Sequence, residues 1–402
     1  MTNGVHPLVL LLCADLALVT FVYFGYPLLL WLRVIGRREP FNRARIHPHV
    51  SIIVAAHNEE SCIEEKLLNL LALDYPRENV EILVGSDGSS DYTEEIVRRF
   101  SDAAVGLVSF PQQHGKSAMQ NSLVALATGE ILAFTDADCL LPPAALSHLV
   151  ENFADARVGL VSACPCFRNA ADSSVTENES LYLRYETWLR RRESDLGLLA
   201  MASGSLFAIR RSLWQPLAPY FGDDFVLPLR VLRAGMLNRI DSRVIVSTDL
   251  SQTDPTAMLR MKSRVISKDF RALVAHRDLL NPFRAGAQAL ALWSHKLLRW
   301  LVPYFLFVIF TANALLLARL PFRALFALQL AFYLIALFGF CFGNRRIHFA
   351  LSVPMSFCLV NFAAHVGVFK ALTRRSSSAW KPERTPSLAP NFRSVAPSRA
   401  IK

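Results

Sequence analysis

Acidic residues follow three segments of the sequence that are predicted to be β-strands. Glu59 comes shortly after the apolar run Val50–Ala56, Asp87 follows residues 80–84, and Asp136 and Asp138 follow residues 131–134. One acidic strand end usually caps a helix, the role that we expect for Asp91. Several carboxylates at one sheet edge repel each other unless a cation lies between them. Asp136-Ala137-Asp138 is therefore predicted to hold Mg²⁺ or Mn²⁺, which prefer oxygen ligands, together with a diphosphate.

A second acidic pair, Asp223-Asp224, stands at the start of a predicted helix that continues over residues 225–234. Such a pair can cap the helix. It can also supply a general base, provided that neighbouring groups raise the pKa of one carboxylate. Both interpretations are open from the residues alone.

Other short motifs are incomplete. Gly115-Lys116-Ser117 resembles the end of a phosphate-binding P-loop, but Phe110 occupies the position of the required first glycine. The seven cysteines are scattered and complete no zinc site, so we expect free, buried thiols in a reducing compartment.

The segments that must position these residues alternate between strands and helices. Strands are predicted at Val50–Ala56, 80–84, Val105–Phe110 and 131–134, with a helix over residues 59–71 after the first strand. This alternation predicts an α/β fold with a mainly parallel sheet and helices on both faces. Functional groups in such a sheet gather where strands end.

Composition points to a membrane protein. The chain has 402 residues, 52% of them hydrophobic and 19% charged, and the apolar excess lies at the two ends. Much of the net charge of +10 lies between Lys370 and Lys402, where eight residues are basic and Glu383 alone is acidic. A basic segment beside membrane helices contacts anionic lipid, so no nucleic-acid partner is expected.

Four segments are candidates for crossing a membrane: residues 8–32, 300–320, 325–342 and 347–369. We expect residues 283–299 to form an interfacial amphipathic helix, and Asp15 and His365 to make polar contacts between helices. Arginines at 33, 37, 38, 43 and 45 place the domain that follows in the cytoplasm. Three crossings after that domain would leave the basic tail outside, whereas its charge favours the inside; re-entry of one segment is the alternative.

Six motifs occur in order along the chain: the one that begins at Val50, then Ser86-Asp-Gly-Ser-Ser-Asp91, His114-Gly-Lys-Ser117, Phe134-Thr-Asp-Ala-Asp138, Ser203-Gly-Ser205 and Gly222-Asp-Asp224. Over residues 48–300 this order resembles the family 2 glycosyltransferases with a GT-A fold, close to the membrane branch of cellulose and hyaluronan synthases. The resemblance implies transfer of a sugar from a nucleotide-sugar donor, expected to be a UDP-sugar, with Mg²⁺ or Mn²⁺ as cofactor.

The resemblance also implies roles for individual residues. The donor would be bound by His57, Glu59, Asp87, Lys116 and Asp136. Asp138 and Asp136 would hold the metal, Asp224 would be the general base, and Gly204, Asp223 and Arg264 would border the acceptor and the diphosphate.

One motif departs from the family. Processive synthases carry Gln-x-x-Arg-Trp after the base, whereas this chain has Met261-Lys262-Ser263-Arg264-Val265. A similar stretch from Lys296 to Trp300 is predicted to be an anchor at the membrane interface. We therefore expect addition of one or a few sugars.

The sequence thus predicts four parts: a membrane anchor and basic segment (1–45), a cytoplasmic GT-A domain (46–275), an interfacial helix with membrane helices (276–372), and a disordered basic tail (373–402). The expected function is inverting transfer to a membrane-associated glycan or lipid-linked acceptor, in cell-envelope or exopolysaccharide synthesis at a bacterial inner membrane. A polysaccharide-synthesis complex is a partner that the sequence leaves open. The alternative is a non-catalytic binding or regulatory subunit of a polysaccharide synthase.

Overall fold

The computed structural model describes residues 7–36, 42–169, 173–248, 254–342 and 347–373. The arginines at 37, 38, 345 and 346 and the predicted disordered tail from Arg374 lie outside the described residues.

One seven-stranded sheet forms the centre of the domain. Its strands are β1 Val50–Ala56, β2 Val80–Asp87, β3 Val105–Phe110, β4 Ile131–Thr135, β5 Val158–Phe167, β6 Leu206–Arg210 and β7 Leu237–Thr248. They lie in the order β3-β2-β1-β4-β6-β5-β7. Only the pairings of β6 with β4 and β5 are antiparallel; the others are parallel. The prediction of a mainly parallel α/β sheet is confirmed, and all four predicted strands are present.

The register brings the predicted strand ends together. Val50 pairs with both Val80 and Ile131, so β1, β2 and β4 begin in line and run in the same direction. Their carboxyl ends therefore meet at one edge of the sheet, where the acidic residues were expected.

Fourteen α-helices are present in the described residues. They are α1 Pro7–Thr20, α2 Tyr26–Gly36, α3 Ile63–Leu71, α4 Thr93–Arg98, α5 Lys116–Leu126, α6 Ala145–Glu151, α7 Ser174–Asp195, α8 Asp223–Arg233, α9 Pro255–Ala275, α10 Pro282–Ala285, α11 Ala287–Leu292, α12 Leu298–Leu315, α13 Leu320–Phe342 and α14 Phe349–Leu372. Two π-helical turns, Phe21–Gly25 and Trp293–Leu297, join α1 to α2 and α11 to α12.

Helices cover both faces of the sheet. One face packs against α3, α4 and α6 through residues such as Leu67, Val97 and Leu149. The other packs against α5, α8 and α9 through residues such as Leu123 and Leu229. Burial of both faces explains why β1 is a continuous apolar run and does not alternate.

The predicted start of the first domain helix is wrong by four residues. Asn58 has a positive φ of 55°, and the chain turns before α3 begins at Ile63. Thr93 fixes this turn, because its hydroxyl accepts a hydrogen bond from the backbone N–H of Glu59 at 2.8 Å.

Four helical segments are long and apolar enough to cross a membrane: Pro7–Val34, Ala287–Leu315, Leu320–Phe342 and Phe349–Leu372. The predicted helix over residues 283–299 is not a separate element. Gly286, with a φ of +54°, separates α10 from α11, and from Ala287 the helix continues through Trp300 to Leu315. Three polar residues of this stretch, Ser294, His295 and Lys296, are buried.

Buried charges join this helix to the domain. His295 lies between two carboxylates of α7: its Nδ1 atom is 2.7 Å from Glu193 and its Nε2 atom is 2.9 Å from Glu186. Arg299 also pairs with Glu186, and the hydroxyl of Tyr26 donates to Glu193 at 2.7 Å. Because a buried charge without its partner is costly, these contacts fix the first and second apolar helices against α7.

Three other predictions, on the cysteines, Asp15 and His365, have different outcomes. All seven cysteines are free, but the thiols at positions 13, 166 and 341 are exposed, not buried. Asp15 is buried, yet its Oδ2 atom has no hydrogen-bond partner in the described part of the chain. His365 packs its ring 5.5 Å from that of Tyr304, on a neighbouring apolar helix.

Candidate functional site

Asp87, at the end of β2, holds the loop that precedes α5. The side chain is completely buried. Its Oδ1 atom accepts the backbone N–H of His114 at 2.7 Å, and its Oδ2 atom accepts that of Gly115 at 2.8 Å. Gly115 has a φ of +96°, a conformation that favours glycine. Asp87 thus positions Lys116, the residue after Gly115, and its contact with a donor stays a prediction.

The end of β1 lies beside this loop. His57 is half-buried, and its Nδ1 atom lies 2.7 Å from the backbone carbonyl oxygen of Asp87. Glu59 is buried and accepts a hydrogen bond from the thiol of Cys62 at 3.2 Å. The three predicted donor residues at these two strand ends are thus neighbours, as the register requires.

Lys116 connects the two predicted acidic groups. Its ammonium lies 2.8 Å from Asp136 Oδ1 and 3.3 Å from Asp223 Oδ2. Burial alone would lower the pKa of Lys116, but these two carboxylates outweigh burial and raise the pKa, so the ammonium stays charged. A charged lysine at a sheet edge is suited to bind a phosphate.

Asp136, Asp138 and Cys139 have ligand atoms within 4.8 Å of one another. Burial, followed by the charge of Asp136, raises the pKa of the Cys139 thiol, so it stays protonated and is a poor metal ligand. The two carboxylates remain as hard oxygen donors, which fits Mg²⁺ or Mn²⁺. Asp136 and Asp138 are the two residues that the sequence analysis predicted as metal ligands.

Lys66 supports this strand end from inside the domain, and no sequence motif pointed to it. Its buried ammonium donates to the hydroxyl of Thr135 at 2.8 Å and to the carbonyl oxygen of Cys139. Burial lowers the pKa of Lys66 to about 8. Lys66 thereby fixes the segment that carries Asp136 and Asp138.

Gly204 lies between Asp136, a predicted metal ligand, and Asp224, the predicted base. A Cβ atom at this position would be 3.4 Å from Asp136 Oδ2 and 3.9 Å from Asp224 Oδ2. The absence of a side chain keeps the space between the two carboxylates open. Ser203 and Ser205 hold the loop, since their hydroxyl groups are 2.7 Å apart and Thr135 donates to the carbonyl of Ser205.

Asp223 and Asp224 begin α8, and neither takes the capping role that was one of the two open interpretations. Gly222 occupies the capping position, which has no side-chain hydrogen bond. Gln120 donates to Asp223 at 2.6 Å. Burial would raise the pKa of Asp223, but Lys116 and Gln120 outweigh it and lower the pKa. Asp223 is therefore a fixed negative charge beside Lys116.

Asp224 has the properties of a base. Burial, and then the neighbouring charge of Asp223, raise the pKa of Asp224 to about 6. A carboxylate with this pKa is ionised at neutral pH and still accepts a proton readily.

A third acidic residue, Asp269 of α9, faces the same place and was missed by sequence reasoning. A Cβ atom at Gly222 would lie 3.0 Å from Asp224 Oδ1 and 3.2 Å from Asp269 Oδ1. Burial, and then the charge of Asp224, raise the pKa of Asp269 to about 8. Asp269 is far from the other motifs in sequence, and only packing of α9 on α8 brings it here.

Arg264 and Lys268 lie one turn apart on α9. Neither makes an ion pair within the described ranges. Burial, and then the charge of Arg264, lower the pKa of Lys268, which also senses the charges of Asp223 and Asp224. Lys268, which was not predicted, is thus near the acidic site, one helical turn from the predicted Arg264.

The predicted interface anchor at Trp300 is wrong. Trp300 is only 7% exposed, and its ring centroid lies 6.0 Å from those of Phe225 and Phe270. Phe225 is the residue directly after Asp224. The second apolar helix therefore contacts the domain one residue from the candidate base.

Comparisons with known proteins agree with this arrangement. Residues 51–216 match the family model of glycosyl transferase family 2. A β-monoglucosyldiacylglycerol synthase from Trichormus variabilis is 32% identical over 168 residues, which are 41% of this chain and 36% of that protein. A poly-β-1,6-N-acetyl-D-glucosamine synthase from Staphylococcus epidermidis is 26% identical over 199 residues, 47% of this chain and 48% of its own length. The alignments thus span less than half of these relatives.

A solved structure agrees over more of the chain. The mannosyltransferase PcManGT from Pyrobaculum calidifontis, in complex with GDP-Man and Mn²⁺, has a TM-score of 0.69 and 25% sequence identity. The match covers 91% of this chain and 100% of that one. The GT-A fold that the sequence resemblance implied is confirmed.

Proposed function

Because residues 51–216 match the family model of glycosyl transferase family 2, we propose that this chain transfers a sugar from a nucleotide-sugar donor to a hydroxyl group of a membrane-associated acceptor. One observation carries the proposal. Asp136 and Asp224 approach the same open side of Gly204, and Lys116 lies 2.8 Å from Asp136. The groups that would bind a diphosphate and the carboxylate that would deprotonate an acceptor thus surround one open space.

The donor half of the site binds the diphosphate. Lys116 supplies a charged ammonium, and Asp136 and Asp138 would hold a divalent cation. When bound, such a cation neutralises the charge that develops on the departing nucleoside diphosphate. His57 and Glu59 border the same pocket, and Asp87 acts through the loop that it fixes. Arg264 and Lys268 offer further positive charge to the diphosphate.

The acceptor half removes one proton. Asp224 takes the proton of the acceptor hydroxyl while that oxygen bonds to the anomeric carbon of the sugar. The bond from this carbon to the diphosphate oxygen breaks, and the electron pair leaves with the nucleoside diphosphate. One such displacement inverts the anomeric centre. Asp223 does not compete for the proton, because its pKa is lowered.

The acceptor is proposed to be a lipid-linked or glycan hydroxyl presented at the membrane surface. The support is the contact of Phe225 with Trp300, which lies in the apolar helix Ala287–Leu315. The two curated relatives are named for a glucosyldiacylglycerol and for a polysaccharide, so both acceptor classes occur among similar proteins. We propose addition of one or a few sugars, with residues 46–275 as the catalytic domain on the cytoplasmic side of a bacterial inner membrane.

The donor is to be identified by experiment. The sequence resemblance favours a UDP-sugar, whereas the similar mannosyltransferase was solved with GDP-Man. Purified protein with Mn²⁺ or Mg²⁺ would be incubated with UDP-, GDP- and dTDP-sugars and a membrane extract, and released nucleoside diphosphate would be measured. We expect release from one donor, lost in Asp138→Ala and kept in Asp102→Ala, an exposed residue of the domain. Silence across the whole panel, with folded protein, would favour the alternative of a non-catalytic synthase subunit.

A further inference from the structure

A cavity of about 590 Å³ lies between the catalytic domain and the apolar helices. It is bordered by the segment that follows α7, by the end of α8 and the start of β7, and by the chain that leads from α9 into α11. Its volume is in the range of ligand pockets, about 300–1,000 Å³. The end of α8 that borders the cavity is the end opposite to Asp223 and Asp224, so the cavity is separate from the candidate active site.

Much of the wall of this cavity is apolar. Five leucines line it: Leu196, Leu198, Leu232, Leu237 and Leu279. Gly235 also lines it, and a Cβ atom added there would meet no atom within 4 Å, so the wall is open at this point. A cavity with such a wall is suited to a ligand that is partly apolar.

Three charged side chains also line the cavity: Arg233, Asp278 and Arg284. Arg233 pairs with Asp278 at 3.1 Å. Arg284 is exposed and makes no ion pair with any residue that the structure describes. Two arginines and one aspartate leave one net positive charge, which is that of Arg284. A guanidinium without a carboxylate partner is suited to bind a phosphate group.

The packing of the cavity wall places the cavity at the level of the membrane surface. Leu196 and Leu198 pack against a cluster that contains Leu30 and Ala291. Leu30 lies one helical turn before the end of the first apolar segment, and Ala291 lies one turn after the start of the second. The cavity therefore lies where both apolar segments meet the domain, at the depth that lipid headgroups occupy.

Exposed aromatic residues adjoin the residues of this region. Phe283, directly before Arg284, is 98% exposed. Trp293 is exposed as well, and its indole N–H donates to the carbonyl oxygen of Leu280 at 2.9 Å. Trp31, the residue after Leu30, is the third. Tryptophan is enriched where a protein meets the membrane–water interface, which agrees with the level inferred from packing.

We propose that this cavity binds the headgroup of an anionic glycerophospholipid from the leaflet next to the domain. Arg284 binds the phosphodiester, whose single negative charge matches the one unpaired positive charge of the cavity. The glycerol and the first acyl carbons contact the leucines of the wall, and the rest of the chains stays in the bilayer. Free phosphate offers the same charged group but leaves the apolar wall without a contact. This inference is independent of the proposed reaction.

Lipid binding can be measured with phosphatidylglycerol that carries a fluorescent group on one acyl chain. The full-length protein in uncharged detergent would be titrated with this probe, and energy transfer from tryptophan would report binding. We expect saturable binding that is about tenfold or more weaker in Arg284→Gln and unchanged in Arg277→Gln, an exposed arginine that does not line the cavity. Equal loss in both variants would assign binding to general surface charge and overturn the proposal. Equal binding of labelled phosphatidylcholine would overturn the choice of an anionic lipid.

A second variant tests the cavity without a change of charge. Ala287 is exposed and lines the cavity, so Ala287→Trp would place a large ring in it. We expect this variant to lose binding of labelled phosphatidylglycerol as Arg284→Gln does; unchanged binding would place the lipid elsewhere. Inorganic phosphate, added to the unsubstituted protein at the concentration of the lipid probe, separates the two sources of phosphate. We expect it not to displace the lipid, and displacement would show that the cavity takes free phosphate instead.

Discussion

Asp224 and Asp269 each place one carboxylate oxygen beside Gly222, at 3.0 Å and 3.2 Å from the position that a Cβ atom of that glycine would take. Two carboxylates that converge in this way do not both ionise freely. The pKa values of about 6 and about 8 mean that the pair holds roughly one proton at neutral pH, on Asp269. Asp224 is then the ionised member and is free to act as a base.

The pH dependence of turnover should show that Asp224 ionises at a lower pH than Asp269. We expect kcat/KM to rise as pH increases through about 6, because Asp224 must lose its proton before it can accept one. Above about 8, ionisation of Asp269 adds a negative charge that repels the anionic donor, so kcat/KM should fall. In Asp269→Asn the fall above 8 should disappear while the rise near 6 stays. A variant that keeps the alkaline fall would assign it to another group.

The same pKa values predict how stability changes with pH. The pKa values of Asp224 and Asp269 in the folded protein lie above the ordinary carboxyl value of about 3.9, so the folded state binds protons more tightly than the unfolded state. Their contribution to stability is complete below about pH 4 and is lost as pH rises through 6 and then 8. Thermal unfolding of metal-free protein should therefore show a fall in Tm that begins near pH 4 and levels off above about pH 8, and in Asp269→Asn the part of this fall between about pH 6 and 8 should be absent. An identical fall in both proteins would contradict the assignment.

Substitution of Lys116 should weaken donor use. In Lys116→Gln, Asp136 and Asp223 lose their shared cation, and the donor phosphates lose a charged partner. We expect kcat/KM to fall by about 10²–10³-fold, the usual effect of removing one charged stabiliser. Lys262→Gln removes the same charge at the ion pair with Glu179 and serves as the control. Equal activity of the two variants would place the donor phosphates elsewhere.

Lys66 should matter through the metal site. Lys66→Met removes a buried donor and leaves Thr135 and the carbonyl of Cys139 with one partner fewer. We expect a loss of about 1–3 kcal/mol in the free energy of unfolding and a higher Mn²⁺ concentration for half-maximal activity. Denaturant unfolding and a metal titration measure these two quantities. Unchanged metal dependence in a destabilised variant would limit Lys66 to a packing role.

Trp300 should couple the membrane helix to the acceptor side of the site. Trp300→Ala removes the ring that packs on Phe225 and Phe270, which should cost about 3–5 kcal/mol of stability in detergent. Transfer to acceptor should decrease more than hydrolysis of the donor, because Phe225 adjoins Asp224. Trp31→Ala, an exposed position in α2, is the matched control. If transfer and hydrolysis fall by the same factor, Trp300 acts on stability alone.

Local patterns were sufficient for the sheet and for much of the site. The runs at Val50–Ala56 and Val105–Phe110 form strands with the predicted bounds, because burial on both faces makes such strands continuous in apolar residues. Parallel strands in register then bring Asp136 close to the loop of Asp87. Asp136 and Lys116 meet for this reason, although they are 20 residues apart in the sequence, and Asp224 joins them from the start of α8.

Residues that depend on helix packing could not be predicted. Lys66 and Asp269 are charged residues that the sequence pattern would place on solvent-exposed surfaces, and only the docking of α3 and α9 buries them. His295 and Trp300 were assigned to the membrane interface for the same reason: composition indicated an amphipathic helix, whereas Glu186 and Glu193 pair with its polar side.

The most direct test of the proposed transferase makes the same substitution, aspartate to asparagine, at the candidate base and at an exposed surface position. Sugar transfer from the active donor to membrane acceptor would be measured with Mn²⁺ for the unsubstituted protein, Asp224→Asn and the surface control Asp102→Asn. We expect Asp224→Asn to bind the donor normally yet to transfer about 10²–10⁴-fold more slowly, the usual contribution of a positioned base, with Asp102→Asn unaffected. Transfer by Asp224→Asn at the unsubstituted rate would contradict the assignment of Asp224 as the base and the mechanism built on it.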